Sequence, residues 1–184
     1  MLGGYPLIVW TIMAGRSAQH LDKLVVSSDD VEILHVARRW GAEPLVRPGE
    51  FASDEAKSYP AILHALDSQP RPFDHVCLLQ PTSPLRSAFD VDCCLTAVLA
   101  MNVVGVIPAV VSAQENRDNP NGAIYVGRAD WLRDSWATWQ PGAALPFDEP
   151  SIPRYYMPAS RSIDIDTPED FAEAERTIER IMAA

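Results

Sequence analysis

Four consecutive apolar residues, Val76-Cys77-Leu78-Leu79, run straight into Gln80-Pro81-Thr82-Ser83-Pro84-Leu85-Arg86. A strand with one wet face alternates apolar and polar residues, whereas an unbroken run suits a strand covered on both faces. Such a strand needs apolar helices elsewhere in the chain, and the flanking sequence supplies them. Leu7, Ile8, Ile12 and Ala14 form an apolar helical face running toward His20. Leu24–Ser28 (LVVSS) reads as a short β-branched strand. Asp29 with Glu32 matches a capping box for a helix over Val31–Trp40, and Gly41 stops it. Glu43–Arg47 reads as another short strand, closed by Pro48-Gly49. A loop over Glu50–Lys57 leads to a helix around Tyr59–Asp67, with Pro60 in its first turn.

Beyond Arg86, Ser87 or Asp90 opens a helix to about Met101. Val103–Val111 is a further strand with Pro108 near its end. Ala123–Val126 is a brief strand after the turn Asn119-Pro120-Asn121-Gly122. Trp131–Pro158, rich in tryptophan, tyrosine and proline, predicts irregular structure with one short strand near Tyr155–Met157. Ser162–Asp166 alternates Ile163 and Ile165 with polar residues and predicts a strand. Thr167 then caps a helix with Pro168 at its first position and Asp170 three residues past the cap. Phe171, Ala174, Ile178 and Ile181 face that helix to the core. The alternation predicts an α/β fold, with a mostly parallel sheet and helices on both faces.

The 184 residues suffice for one domain with a sizeable core, so residues 1–184 are read as a single domain. There are 15 Lys+Arg against 25 Asp+Glu, a net charge of −10, which lacks the footprint of a nucleic-acid binder. No apolar run approaches a membrane span. Met1–Pro6 has no basic flank, which reads against a signal peptide. Cys77, Cys93 and Cys94 match neither a disulfide framework nor a zinc site; they read as small buried apolar groups in a reducing cytoplasm. His20, His35, His64 and His75 show no ligand spacing.

Ligands of open α/β sheets bind outside the carboxyl ends of the strands, so strand exits are where chemistry is expected. Gln80, Thr82, Ser83 and Arg86 lie in one such exit loop and can all hydrogen-bond; the same segment also reads as a proline-shaped connector with capping hydroxyls. Asp164 and Asp166, two apart, project to the same side of a strand. Paired carboxylates repel unless a cation lies between them. Mg²⁺ shared with substrate phosphates is one answer. A solvent-facing edge favouring the next helix's dipole is the other. There is no G-x-S-x-G elbow or G-x-G-x-x-G loop, and Gly3-Gly4 alone is too little for a phosphate loop.

In chain order, LGGYPLIVWTI (Leu2–Ile12), VVSSDD (Val25–Asp30) with Ala37–Glu43, RPGEFASD (Arg47–Asp54), LLQPTSPLR (Leu78–Arg86), NGAIYV (Asn121–Val126) and RSIDID (Arg161–Asp166) followed by Thr167 resemble segments of one family. They are the cytidylyltransferases that activate sialic acids and related nonulosonic acids, the CMP-N-acylneuraminate synthetases. The match covers most of the chain, and LLQPTSPLR is its most distinctive part. The resemblance implies a Rossmann-like, GT-A-like nucleotidyltransferase fold, a three-layer sandwich. It implies that Asp164 and Asp166 hold Mg²⁺ and are catalytic. Arg47, Ala56 and Ser58 would lie along the cytidine nucleotide. Gln80 would contact the sugar acid, and Asn121 and Tyr125 would line its pocket. The implied reaction is attack by the sugar acid's anomeric oxygen on the α-phosphorus of CTP with loss of pyrophosphate, which demands in-line positioning and charge neutralisation.

Two departures from the family shape the expectations. The family begins with a strand in the middle of the sheet and a glycine-rich loop bearing Arg and Lys, and Leu2 aligns after that point. The expected consequences are two inner strands without a partner and no main phosphate clamp. CTP, with about four negative charges, would then be met by Mg²⁺ and scattered cations such as Arg47, Lys57 and Arg86. The family also places a longer stretch where only Ser112–Pro120 stands here, one that helps form its dimer and sugar site. The expected partners are CTP, a nonulosonic sugar acid and, in assembly, a homodimer, with no nucleic acid or membrane. Two alternatives stay open. The chain is a catalytically silent relative acting as a binding or assembly partner, or it serves another sugar acid such as 3-deoxy-manno-octulosonate or a legionaminic-type acid.

Overall fold

The computed structural model describes residues 1–53, 56–102, 109–140, 143 and 145–183. Helix α1 (Leu7–Ser17) starts after Pro6 and buries Val9, Thr11, Ile12, Ala14 and Gly15. A Cβ at Gly15 would stand 2.9 Å from Leu24 Cδ1, so a larger residue there would make the Leu24 side chain, just ahead of the first strand, shift. That strand, β1 (Val25–Ser28), leads to α2 (Val31–Arg39). The cap of α2 is Asp30 rather than Asp29: the Asp30 carboxylate accepts from the backbone N–H groups of Glu32 at 2.7 Å and Ile33 at 3.3 Å. The chain then passes Gly41, at φ +85, and returns as β2 (Glu43–Val46). β2 pairs parallel with β1 from Val25–Glu43 to Ser28–Val46.

Next come α3 (Ser58–Asp67), β3 (His75–Leu79) and α4 (Ala88–Asn102). The start of α4 uses both candidates named in the sequence. Ser87 N–H donates to Asp90 Oδ2 at 2.9 Å, and Asp90 N–H donates back to Ser87 Oγ at 3.3 Å. The chain continues as β4 (Ala109–Gln114), β5 (Pro120–Arg128), α5 (Ala129–Thr138), β6 (Arg154–Met157) and α6 (Pro168–Met182). Residues 103–108 of the strand expected at Val103–Val111 lie outside the described residues, and β5 is longer than the segment expected. Among the described residues no helix is long and apolar enough to cross a membrane.

The strands form two ladders, β1-β2 and β3-β5-β4-β6. β4 and β6 are parallel, while β5 runs against both β3 and β4. The reversal follows from the short β4–β5 connection, since a parallel return would need a crossover of a dozen residues or more. Along β3, Cys77 and Leu79 pack with Val91, Leu95 and Val98 of α4. Val76 and Leu78 pack on the other face with Tyr59 and Ile62 of α3 and Leu132 of α5. The unbroken apolar run is therefore covered on both sides, as its composition requires. Among the described residues no ladder joins β1 to β3.

Two expectations are overturned. The stretch beginning at Trp131 is not irregular throughout: α5 buries Ala129 and Leu132, and Tyr59, Trp136 and Trp139 stack nearly parallel, at 7° and 8°. Proline crowding after Trp139 obscures the helical spacing before it. Ser162–Asp166 is not a strand: it joins no ladder among the described residues, and Ile165 N–H ties it to the neighbouring loop by donating to Thr82 O at 2.8 Å. Its alternation still sorts the side chains, with Asp164 turned to Ser83. Ile163 and Ile165 pack with Leu85, Ala174 and Ile178. Thr167 and Asp170 form the expected capping box of α6.

Candidate active site

Gly122, at φ +77, is the meeting point of the site. A Cβ there would overlap Asp164 Oδ2 and stand 3.0 Å from Gln80 Oε1. Burial pushes the Tyr125 pKa up to about 12, against a small lowering from the nearby Gly122 backbone, so it stays a neutral hydroxyl near pH 7. Ser83, fully buried, donates through Oγ to Asp164 Oδ1 at 3.2 Å. Loop 80–86, the start of β5 and the segment before α6 thus converge, and Asp164, Gln80 and Tyr125 come together from distant parts of the chain.

Arg86 lies beneath this point and directs its donors inward. It bonds Ala123 O at 2.8 Å, Thr11 Oγ1 at 2.7 Å and the Gln80 carbonyl. Burial lowers its pKa to about 10, so it stays charged at neutral pH. The expectation of Arg86 as a cation reaching the phosphates is therefore corrected: it is an internal brace holding the Gln80 loop, and its charge acts through the protein.

A second brace holds the Asp164 segment. Asp90 is fully buried and accepts from Arg161 Nε and Nη2, both at 2.9 Å, and from Tyr155 Oη at 3.0 Å. Burial pushes this carboxyl up, but the bonds from Arg161, Ser87 and Tyr155 outweigh it and hold the pKa below the ordinary Asp value. The pair pins the turn ahead of Ser162 to the start of α4.

A cavity of about 730 Å³ opens beside Gln80, and Arg47 and Ser58 line it too. Arg47 lies across the end of β1, donating to Ser27 Oγ at 3.2 Å and to the Ser27 carbonyl. Ala56 is set by its N–H to Ser53 O at 2.9 Å and does not line the cavity. Asn121 is committed to the frame. Its Oδ1 accepts from Ser112 Oγ at 2.6 Å, and its Nδ2 donates to Ser162 Oγ at 3.1 Å. Asp166 is exposed, and its backbone N–H joins the α6 cap through Asp170 Oδ2 at 3.2 Å.

Asp164 Oδ2 and Gln80 Oε1 face one point and are hard oxygen donors, the kind Mg²⁺ takes. No group of three or more His, Cys, Asp or Glu able to hold a metal occurs among the described residues. Two such donors are too few to hold a divalent ion by themselves, so an ion here would need further ligands from substrate phosphate and water. Sequence reasoning assigned no role to Ser83 beyond hydrogen bonding and missed the Asp90–Arg161 pair, whose members stand 71 residues apart.

A family model described as Cytidylyltransferase matches residues 1–142. A CMP-N,N'-diacetyllegionaminic acid synthase of Legionella pneumophila is 29% identical, over 97% of this chain and 88% of that protein. A pseudaminic acid cytidylyltransferase of Campylobacter jejuni is 41% identical over 45% of this chain and 37% of its own length. Among solved structures, a CMP:2-keto-3-deoxy-manno-octonic acid synthetase complexed with CTP superposes with a TM-score of 0.74 at 13% identity, over 98% of this chain and 90% of that one. That last likeness is one of fold.

Proposed function

Because this chain belongs to the cytidylyltransferase family, we propose that it transfers CMP from CTP to the anomeric oxygen of a nonulosonic sugar acid. The observation that carries the reading is the convergence of Asp164, Gln80 and Tyr125 on Gly122, beside a cavity that Arg47 and Ser58 line. The substrate class follows the names of the relatives, which act on legionaminic and pseudaminic acids.

In the reaction, the anomeric hydroxyl oxygen bonds to the α-phosphorus of CTP. The bond from that phosphorus to the bridging oxygen breaks, pyrophosphate leaves with its electron pair, and the hydroxyl proton passes to water. Arg47, with Ala56 and Ser58, lies along the nucleotide. The Gln80 amide, held by Arg86 through the loop carbonyl, orients the sugar acid, and Tyr125 borders the same space. Asn121 supports that wall through Ser112 and Ser162. Asp164, with Asp166 from the exposed side, would hold Mg²⁺. When bound, the ion supplies charge neutralisation at the phosphates. The three free thiols fit a reducing, cytoplasmic setting. A homodimer is the assembly to look for by sedimentation.

The test is pyrophosphate release by the purified chain with CTP, Mg²⁺ and a panel of sugar acids: N-acetylneuraminate, legionaminate, pseudaminate and 3-deoxy-manno-octulosonate. Release that depends on one of the first three supports the reading, and the octulosonate alone moves the enzyme to another substrate. Absence of release with every acid refutes it and leaves a binding or assembly role.

A further inference from the structure

The loop after β3 and the segment before α6 are joined at two consecutive residues on each side. Ile165 N–H donates to Thr82 O at 2.8 Å, and next to it Ser83 Oγ donates to Asp164 Oδ1 at 3.2 Å. The loop itself is fixed. Ser83 N–H donates to Gln80 O at 3.3 Å, closing a turn with Pro81 at its second position, and Arg86 donates to the same carbonyl. Ser83 has no exposed surface, and a hydroxyl taken out of water is costly unless it is bonded. It caps no helix, since α4 begins at Ala88 with Ser87 and Asp90 as its cap. Among the described residues, its proton goes to a carboxylate 81 residues away.

The two ties do different work on Asp164. The Thr82–Ile165 bond holds its backbone in place. An aspartate still turns about its last torsion, which is broad and two-fold, so a fixed backbone does not aim the carboxylate. The Ser83 bond occupies one oxygen and thereby assigns the other. Oδ2 is left at Gly122, where Gln80 Oε1 also arrives. The turn that carries Ser83 starts at Gln80, so a single loop sets both oxygens relative to each other.

Resting on the CMP-transfer reading for the task of Asp164, we propose that Ser83 is a positioning residue: its hydroxyl holds the Asp164 carboxylate in the orientation that presents Oδ2, beside Gln80, to the phosphates of the bound nucleotide and their Mg²⁺. Ser83 acts through Asp164 and not on the substrate. Partners behind a ligating carboxylate are worth about 10–100-fold in metal affinity or activity.

The test uses the full chain as Ser83→Ala, Asp164→Ala and the two combined. Urea midpoints are measured first, without metal or nucleotide. If the side chains bond, the double variant falls by less than the sum of the single falls, and additive falls overturn the proposal. Pyrophosphate release then separates positioning from folding. Ser83→Ala should lower kcat about 10–100-fold and raise the half-saturating Mg²⁺ concentration, with KM for CTP within about twofold of wild type. Unchanged kcat and Mg²⁺ dependence overturns the proposal, and so does a rise in KM for CTP alone. Electron paramagnetic resonance of Mn²⁺–CTP held by the protein needs no turnover. Its affinity should be about tenfold or more weaker in Ser83→Ala, as in Asp164→Ala. Equal affinity in wild type and Ser83→Ala, or no Mn²⁺–CTP held by wild type, overturns the proposal. The urea cycle and the resonance titration give an answer even for a chain that releases no pyrophosphate, so failure here is distinct from failure of the CMP-transfer reading.

Discussion

Replacing Arg161 with Met tests how the site is held together. Asp90 has no exposed surface and is bonded twice by Arg161, twice by Ser87 and once by Tyr155. Arg161→Met keeps most of the side-chain stem and removes both charge-assisted bonds, leaving a buried carboxylate with neutral donors alone. Breaking such a pair costs about 3–5 kcal/mol. The guanidinium is 35% exposed, so solvent screening places the loss near the lower end, about 3 kcal/mol. With a urea m-value of about 2 kcal/mol/M, the midpoint should fall by roughly 1.5 M at pH 7. The pH dependence has a definite sign. The folded pKa of Asp90 is held below its unfolded value of about 3.9. The stabilisation is therefore complete above that pH and is lost as pH falls through the folded pKa. The gap between wild type and Arg161→Met should narrow below about pH 4. The assay is urea unfolding followed by tryptophan fluorescence across that range, with Asp90→Asn alone and combined. A midpoint change equivalent to less than about 1 kcal/mol at pH 7, or a gap that does not narrow in acid, would refute the reasoning.

Gly122→Ala should lose about 1–2 kcal/mol to its positive φ, and it should cut turnover further by pushing Asp164 and Gln80 apart; urea midpoints and pyrophosphate release measure the two effects. Asp164→Ala and Asp166→Ala should each abolish Mg²⁺-dependent pyrophosphate release with unchanged far-UV circular dichroism, and normal turnover in both variants removes the metal assignment. Tyr59→Phe strips the acceptor from the buried Phe147 N–H, bonded at 2.7 Å, and should cost about 1–3 kcal/mol in unfolding experiments. Thr167→Ala removes the acceptor of Asp170 N–H at 3.2 Å and should cost about 1 kcal/mol, measured the same way.

Where the sequence is legible, the physics is local. The period of Phe171, Ala174 and Ile178 in α6, the Thr167–Asp170 box, the unbroken run of β3 and the stop at Gly41 each involve a few neighbouring residues, and each appears in the fold, whereas Ile181, expected on the same face in the last turn of α6, is exposed. The alternation of Ser162–Asp166 sorted Ile163 and Ile165 from Asp164 even though no ladder forms there, because the apolar side chains meet the core and the carboxylate meets Ser83 whether or not the backbone is paired. Family-like segments pointed to Gln80, Asp164 and Tyr125, which the fold brings together at Gly122. Asn121 and Arg86 show what local reading misses. The resemblance placed Asn121 at the sugar pocket and the charge count set Arg86 among the cations for the phosphates, while in the fold nearby carbonyls and hydroxyls use their hydrogen-bonding groups. The burial of Asp90 beside Arg161 and the close approach at Gly122 belong to the tertiary structure alone. Each depends on groups far apart in the chain, and the strength of a charge pair is set by what excludes water around it, which no local pattern of residues encodes.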